Sequence, residues 1–197
     1  MFTKSFLDQS VEIIGQISTD DIDGVVALLR RTREQGGRVF FCGSGGGAGH
    51  ASHAACDFRK LAQIECYSVT DNASELTARI NDEGWDTAYS AWLEASRLGE
   101  KDTLFVFSVG GGDVERNISV NLVNAMRYAQ ERGAAVTGIV GRDGGALAQL
   151  SEVSIRIPEV DPATVTPQTE GLQALMWRLI VSHPDLAVGR AKWESTT

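Results

Sequence analysis

Five short apolar runs punctuate the chain: Arg38 to Cys42, Ile64 to Val69, Thr103 to Ser108, Ala135 to Val140 and Val153 to Ile157. Each is rich in β-branched and aromatic residues, a pattern that predicts strands. Most of the runs are nearly continuous rather than alternating, which suits a parallel sheet covered on both faces by helices. Gaps of about twenty to thirty residues between most of them leave room for the helical crossovers that parallel strands require. The predicted class is therefore α/β, doubly wound: a three-layer sandwich with a five-stranded parallel sheet flanked by helices.

Two extra helices are predicted ahead of the sheet. In the first, Leu7, Val11 and Ile14 follow i, i+4, i+7 spacing, and Phe2, Phe6, Ile13 and Ile17 widen the stripe. The second runs from about Asp20 to Gln35 and stops at Gly36-Gly37. So broad an apolar face either covers the sheet or packs against another subunit, and the second reading makes the protein a homo-oligomer. With 197 residues, a single domain is expected, with residues 1–36 as oligomerising N-terminal helices and 37–184 as the α/β core.

Composition narrows the partners. No apolar run approaches the roughly 18 residues of a membrane span, so no membrane insertion is expected. Eighteen Lys and Arg face 26 Asp and Glu, a formal charge of −8 that disfavours nucleic acid and anionic lipid. The start, Met1-Phe2-Thr3-Lys4-Ser5-Phe6, lacks the features of a signal peptide, so a cytoplasmic location is expected. Cys42, Cys56 and Cys66 are too few and too scattered for a zinc cluster, and read as reduced, buried small apolar residues.

The 21 glycines are clustered. Gly43-Ser44-Gly45-Gly46-Gly47-Ala48-Gly49 follows the first predicted strand and leads into a helix carrying His50, His53 and Asp57. Ser108 to Asp113, with Gly110-Gly111-Gly112, follows the third. Loops at the carboxyl ends of parallel strands feed helix N-termini, where free N–H groups and the helix dipole attract anions. Glycine lets such backbone approach a ligand closely, so a phosphorylated or otherwise anionic ligand is expected. The first loop has no Gly-Lys-Ser/Thr ending, which argues against a nucleoside triphosphatase. Gly43, Gly45 and Ala48 fit a loose dinucleotide fingerprint, but the acidic partner about 20 residues on is ambiguous between Glu65 and Asp71. No nucleotide cofactor is expected.

Six motifs in order resemble the sugar isomerase (SIS) domain, in the phosphoheptose isomerase branch. They are Cys42-Gly43-Ser44-Gly45-Gly46, the helix with His53 and Asp57, Thr70-Asp71-Asn72, Asn81-Asp82-Glu83-Gly84, Phe107-Ser108-Val109-Gly110, and Gly138 to Gly145. The resemblance implies a homotetramer with sites at subunit interfaces that interconverts sedoheptulose 7-phosphate and a heptose 7-phosphate, often with zinc. It implies catalysis by Asp57, at the place of the family's glutamate, and by His53, with zinc held at His53 and Asp57. It further implies sugar phosphate binding by Ser44, Gly45, Gly46, Gly47, Asn81, Asp82, Ser108, Gly110, Gly111 and Gly112. Aldose–ketose isomerisation through an enediolate needs a base beside the carbonyl and an acid at the neighbouring oxygen, and residues i and i+4 share a helix face. A second reading on the same fold is a non-catalytic sugar-phosphate-binding or partner-binding protein.

Three departures mark this chain. The family's histidine on the last helix falls at Met176 or Trp177, and His183 lies about 10 Å beyond. Glu170 is the next catalytic candidate, whereas Leu172, Leu175, Met176 and Leu179 read as core. The family's hydroxyl-rich phosphate turn is replaced by Ser108 to Asp113. Asp113 reads as the N-cap of a helix from Val114 to Arg132, with Arg116, Arg59 or Lys60 as candidates to offset its charge. Finally, the catalytic glutamate is shortened to aspartate.

Overall fold

Strand β1 (Arg38–Gly43) shows how the sheet is built: Val39 and Phe41 point into one hydrophobic layer, Phe40 and Cys42 into the other. All four are fully buried, because helices cover both faces and neither side of the strand can be polar. Strand β3 (Thr103–Ser108) repeats the pattern, with Phe105 and Phe107 on the first side and Leu104 and Val106 on the second. With β2 (Glu65–Ser68), β4 (Ala135–Val140) and β5 (Val153–Arg156) they form one sheet in the order β2-β1-β3-β4-β5, every pairing parallel. The computed structural model describes residues 1–193 and 196.

The first layer is made by α2 (Thr19–Glu34), α3 (Gly46–Leu61) and α8 (Val165–Ser182), packed over Phe41, Phe105 and Ile139. The second layer holds α5 (Ala88–Ala95), α6 (Val120–Glu131) and α7 (Gly145–Leu150), with α4 (Ala73–Glu83) packing through Leu76 and Ile80. Ser18 caps α2 by accepting from the Asp21 amide at 3.1 Å, and Val25, Val26, Leu28 and Leu29 seat the helix in the core. Helix α1 (Phe2–Gln16) is different. It buries Ile13 and is otherwise tied down by polar contacts from Gln9 to Asp161 and Thr164 and from Ser10 to Gln168. Its Phe2, Leu7, Val11 and Ile14 remain exposed. The face read as one apolar surface thus divides, α2 onto the sheet and α1 outward.

Strand order reverses at β1, which sends one crossover to β2 and the next to β3. The crevice at the carboxyl ends of β1 and β3 is the topological switch point, and both glycine loops open onto it. Three expectations need correction. No helix starts at Val114: residues 109–119 are irregular and α6 begins at Val120. Leu175 and Leu179 are 45% and 39% exposed, because the sheet-facing side of α8 is taken by Leu172, Gln173, Met176 and Ile180. Cys56 is exposed rather than core, while burial pushes the Cys42 and Cys66 thiols up, that of Cys66 to about 12. None of the described helices is long and apolar enough to cross a membrane.

Candidate functional site

Helix α3 begins almost in contact with the sheet. A Cβ on Gly47 would stand 2.7 Å from the Phe107 carbonyl oxygen of β3, and one on Gly43 would run into the Gly47 backbone. Only glycines allow this approach, and it turns the first amides of α3 toward the switch point. Gly45, with φ 57° and ψ −120°, makes the turn. The buried Tyr89 hydroxyl donates to the Gly43 carbonyl at 2.8 Å. Its burial pushes its pKa up to about 12, so it stays a donor at physiological pH. Asn121, fully buried in α6, reaches Ser44 Oγ with Nδ2 at 3.4 Å, and its Oδ1 has no partner among the described residues.

A cavity of about 610 Å³ opens between this turn and the loops after β3 and β4. Of the residues expected to bind substrate, Ser44, Ser108, Gly110 and Gly112 line it. Gly45, Gly46, Gly47 and Gly111 do not. Gly111 is pressed against Gly144, and its amide donates to Ser108 Oγ at 2.9 Å. Asn81 and Asp82 lie exposed near the end of α4, hydrogen-bonded to each other, and the structure does not bring them to the cavity wall. Asp113 lines the cavity without capping a helix. Its Oδ1 accepts from the Arg116 amide at 3.0 Å, and its backbone pairs with Ile118, closing a turn over 113–118. Arg116 Nε lies 3.5 Å from Asp113 Oδ2. Arg142, held at φ 51° after β4, also lines the cavity and has no hydrogen bond or ion pair among the described residues. It stands in the Gly141-Arg142-Asp143 motif, which sequence reasoning noticed without giving the arginine a task.

A second group lies two turns along α3. His53 and Asp57 share a face, with Nε2 and Oδ2 3.9 Å apart. The residues expected opposite them, Met176 and Trp177, are buried, although the Trp177 ring comes within 5.0 Å of the His53 ring. Arg178 faces the pair instead: Nη1 donates to Asp57 Oδ2 at 3.1 Å and Nη2 lies 3.1 Å from His53 Nε2. Composition marks an arginine on the outer face of a helix as solvated, so this contact had no signal in the sequence. Zinc takes three or four His, Cys or carboxylate ligands. Here the helix offers two, the third neighbour is a cation with donors only, and the described residues contain no cluster of three such ligands. This donor set does not fit zinc.

Glu170 stands between the two groups, its carboxylate carbon 2.6 Å from where a Gly46 Cβ would lie. An acidic side chain thus meets the positive end of α3. Half-buried His50 packs on Phe107 at 5.7 Å. Burial lowers its pKa, while the adjoining Glu170 acts the other way.

Residues 5–141 match the model of the SIS domain. The lincomycin biosynthesis protein LmbN of Streptomyces lincolnensis is 37% identical over 191 residues, covering 91% of this chain and 68% of that protein. A phosphoheptose isomerase of Rhodospirillum rubrum is 34% identical over 163 residues, 80% of this chain and 79% of the enzyme. The structure of phosphoheptose isomerase GmhA from Neisseria gonorrhoeae superposes with a TM-score of 0.79 at 24% identity over 91% of this chain and 94% of that one, a likeness of fold. A glycine-lined switch point, the order β2-β1-β3-β4-β5 and a match over most of the chain lead to one assignment: this protein belongs to the SIS domain family.

Proposed function

We propose that the protein is a sugar-phosphate aldose–ketose isomerase acting on a long-chain ketose phosphate of the sedoheptulose 7-phosphate type. The observation that carries this reading is the spacing of the two groups along α3. Gly46, which opens α3 two residues after Ser44 at the cavity, and His53 are seven residues apart, about 10 Å along the axis at 1.5 Å per residue. A phosphate beside Ser44 and Arg142 would leave the carbonyl end of an extended sugar near His53 and Asp57, with Glu170 along its middle. Asp57 then takes the proton from the carbon beside the carbonyl and returns it to the neighbouring carbon. His53 exchanges the hydroxyl proton, and the electrons pass through an enediolate. Curated relatives of 34% and 30% identity carry the name phosphoheptose isomerase, which supports this chemistry. No step requires a nucleotide or a metal.

The test is incubation of the purified protein with sedoheptulose 7-phosphate and a panel of shorter and longer sugar phosphates, following product formation and thermal stabilisation together. The Arg178 contact on Asp57 favours a second reading, a sugar-phosphate-binding protein without turnover, and stabilisation with no product from any substrate would select it. Arg142→Ala is expected to raise KM about 10-fold or more with little change in kcat, because a charge-assisted hydrogen bond to phosphate contributes about 1.5–3 kcal/mol. An unchanged KM would remove Arg142 from the phosphate site.

The same reading makes the protein a homo-oligomer, a tetramer in the proposed form, with α1 in the 1–36 segment at an interface. The apolar stripe of Phe2, Leu7, Val11 and Ile14, together with Leu175 and Leu179 of α8, supports it. Sedimentation equilibrium is expected to give four times the 21.2 kDa chain mass, and Val11→Glu a smaller species. A monomeric wild type would remove the interface. A cytoplasmic setting, where sugar phosphates are made and three unpaired cysteines stay reduced, completes the proposal.

A further inference from the structure

We infer that Arg178 is the resident cation of this site, a positioning residue that fills the place a divalent metal would take between His53 and Asp57. The guanidinium reaches a carboxylate oxygen with one nitrogen and an imidazole nitrogen with the other, both at 3.1 Å. His53 and Asp57 are the two side chains of this helix face that could serve as metal ligands. Because guanidinium nitrogens only donate, His53 Nε2 is the acceptor and its ring proton sits on Nδ1. Arg178 therefore selects one tautomer of His53 and fixes the orientation of Asp57. Its own plane is held in turn, with Cζ 4.7 Å from the Trp177 ring centre. Trp177 is buried and also lies against His53, so its ring backs both the imidazole and the guanidinium, whose outer sides stay about half exposed.

Three properties follow. A metal at His53 and Asp57 would have to displace a cation already engaged with both ligands, at a cost in like-charge repulsion. The site then works without metal, and chelators leave it unaffected. Position 178 also becomes the metal switch, since a histidine there would replace the blocking donor with a third ligand and leave a fourth position open, the arrangement of catalytic zinc sites. The inference goes beyond the isomerase reading and does not depend on it, because the binding of metal can be counted without turnover.

The experiment uses full-length, tag-free wild type, Arg178→His and Arg178→Gln, each equilibrated with equimolar Zn²⁺, desalted and analysed for bound zinc, with affinities from calorimetry. Wild type and Arg178→Gln are expected to retain little zinc. Arg178→His is expected to approach one ion per chain and to bind roughly 100-fold more tightly than wild type, given that even an outer-shell partner of a metal site is worth 10–100-fold. Nitrogen-15 spectra of the His53 ring at neutral pH should show an unprotonated Nε2 in wild type and mixed tautomers in Arg178→Gln. Stoichiometric zinc in wild type would overturn the inference. So would Arg178→His that is folded by circular dichroism yet holds no more zinc than Arg178→Gln, or a His53 tautomer unchanged by Arg178→Gln. If the protein turns over no sugar phosphate while these metal counts hold, only the isomerase reading fails.

Discussion

Asp57→Asn is expected to lower kcat by about 10³-fold while KM changes by no more than a few fold. A positioned general base contributes about 10²–10⁴-fold, and the substitution removes the proton acceptor while keeping size and shape. The amide oxygen still accepts from Arg178 Nη1, so the geometry around His53 is retained. Folding should be little affected. Asp57 pairs with an Arg178 side chain that is 54% exposed, and half-exposed ion pairs contribute at most about 1 kcal/mol. The sharper readout is exchange of the carbon-bound substrate proton with deuterated solvent, which isolates the step assigned to Asp57. Wild type should exchange and Asp57→Asn should not, even with product removed. Turnover within threefold of wild type would transfer the base to another group, and Glu170, placed over Gly46, is next in line.

The strands were legible because burial on both faces leaves one solution for Val39 to Cys42 or Leu104 to Phe107: every residue must be apolar. The segment after Ser108 was not, and Asp113 shows why. Its carboxylate accepts from the amide three residues on, the bond an N-cap would make and also the bond that closes a turn. Local sequence sees that bond and not its continuation. Here Asn117 and Ser119, at φ 56° and 50°, break the helix, and the Asp113–Ile118 bridge closes the turn. Helix α8 failed differently. Counting from the family pattern led to Met176 or Trp177, but packing against the sheet claims Met176 and buries the Trp177 ring, leaving the next residue to meet α3. Which face of a helix stays open is a property of its neighbours. The exposure of Leu175 and Leu179 has the same origin, and their periodicity alone reads as core.

Gly47→Ala should lower stability through one close backbone contact. Gly47 lies outside the left-handed region, so its backbone is one that alanine accepts, and the cost is entirely steric. The added Cβ meets the Phe107 carbonyl oxygen at 2.7 Å and the Phe107 Cβ at 3.4 Å. That carbonyl belongs to the central strand β3, which is hydrogen-bonded on both edges and cannot swing aside as a side chain would. The first turn of α3 must lift off the sheet instead. Overpacking of this kind costs about 1–3 kcal/mol, and at about 2–4 °C per kcal/mol for a chain of this size the melting temperature should fall by about 2–12 °C. Two neighbours serve as controls. Gly45→Ala meets nothing within 4 Å but is forced to φ 57°, a strain of about 1–3 kcal/mol with no displacement of α3. Gly49→Ala meets nothing, sits inside the helix at ordinary φ, and should be neutral or stabilising by up to about 1 kcal/mol. Calorimetry on the three variants therefore separates contact from strain. Lifting α3 also moves its first amides and Ser44 from the cavity, so Gly47→Ala should lose sugar-phosphate stabilisation that Gly49→Ala keeps. If Gly47→Ala melts with wild type, the close approach of α3 to β3 is not what shapes the site, and the reason for glycine there must lie with the ligand itself.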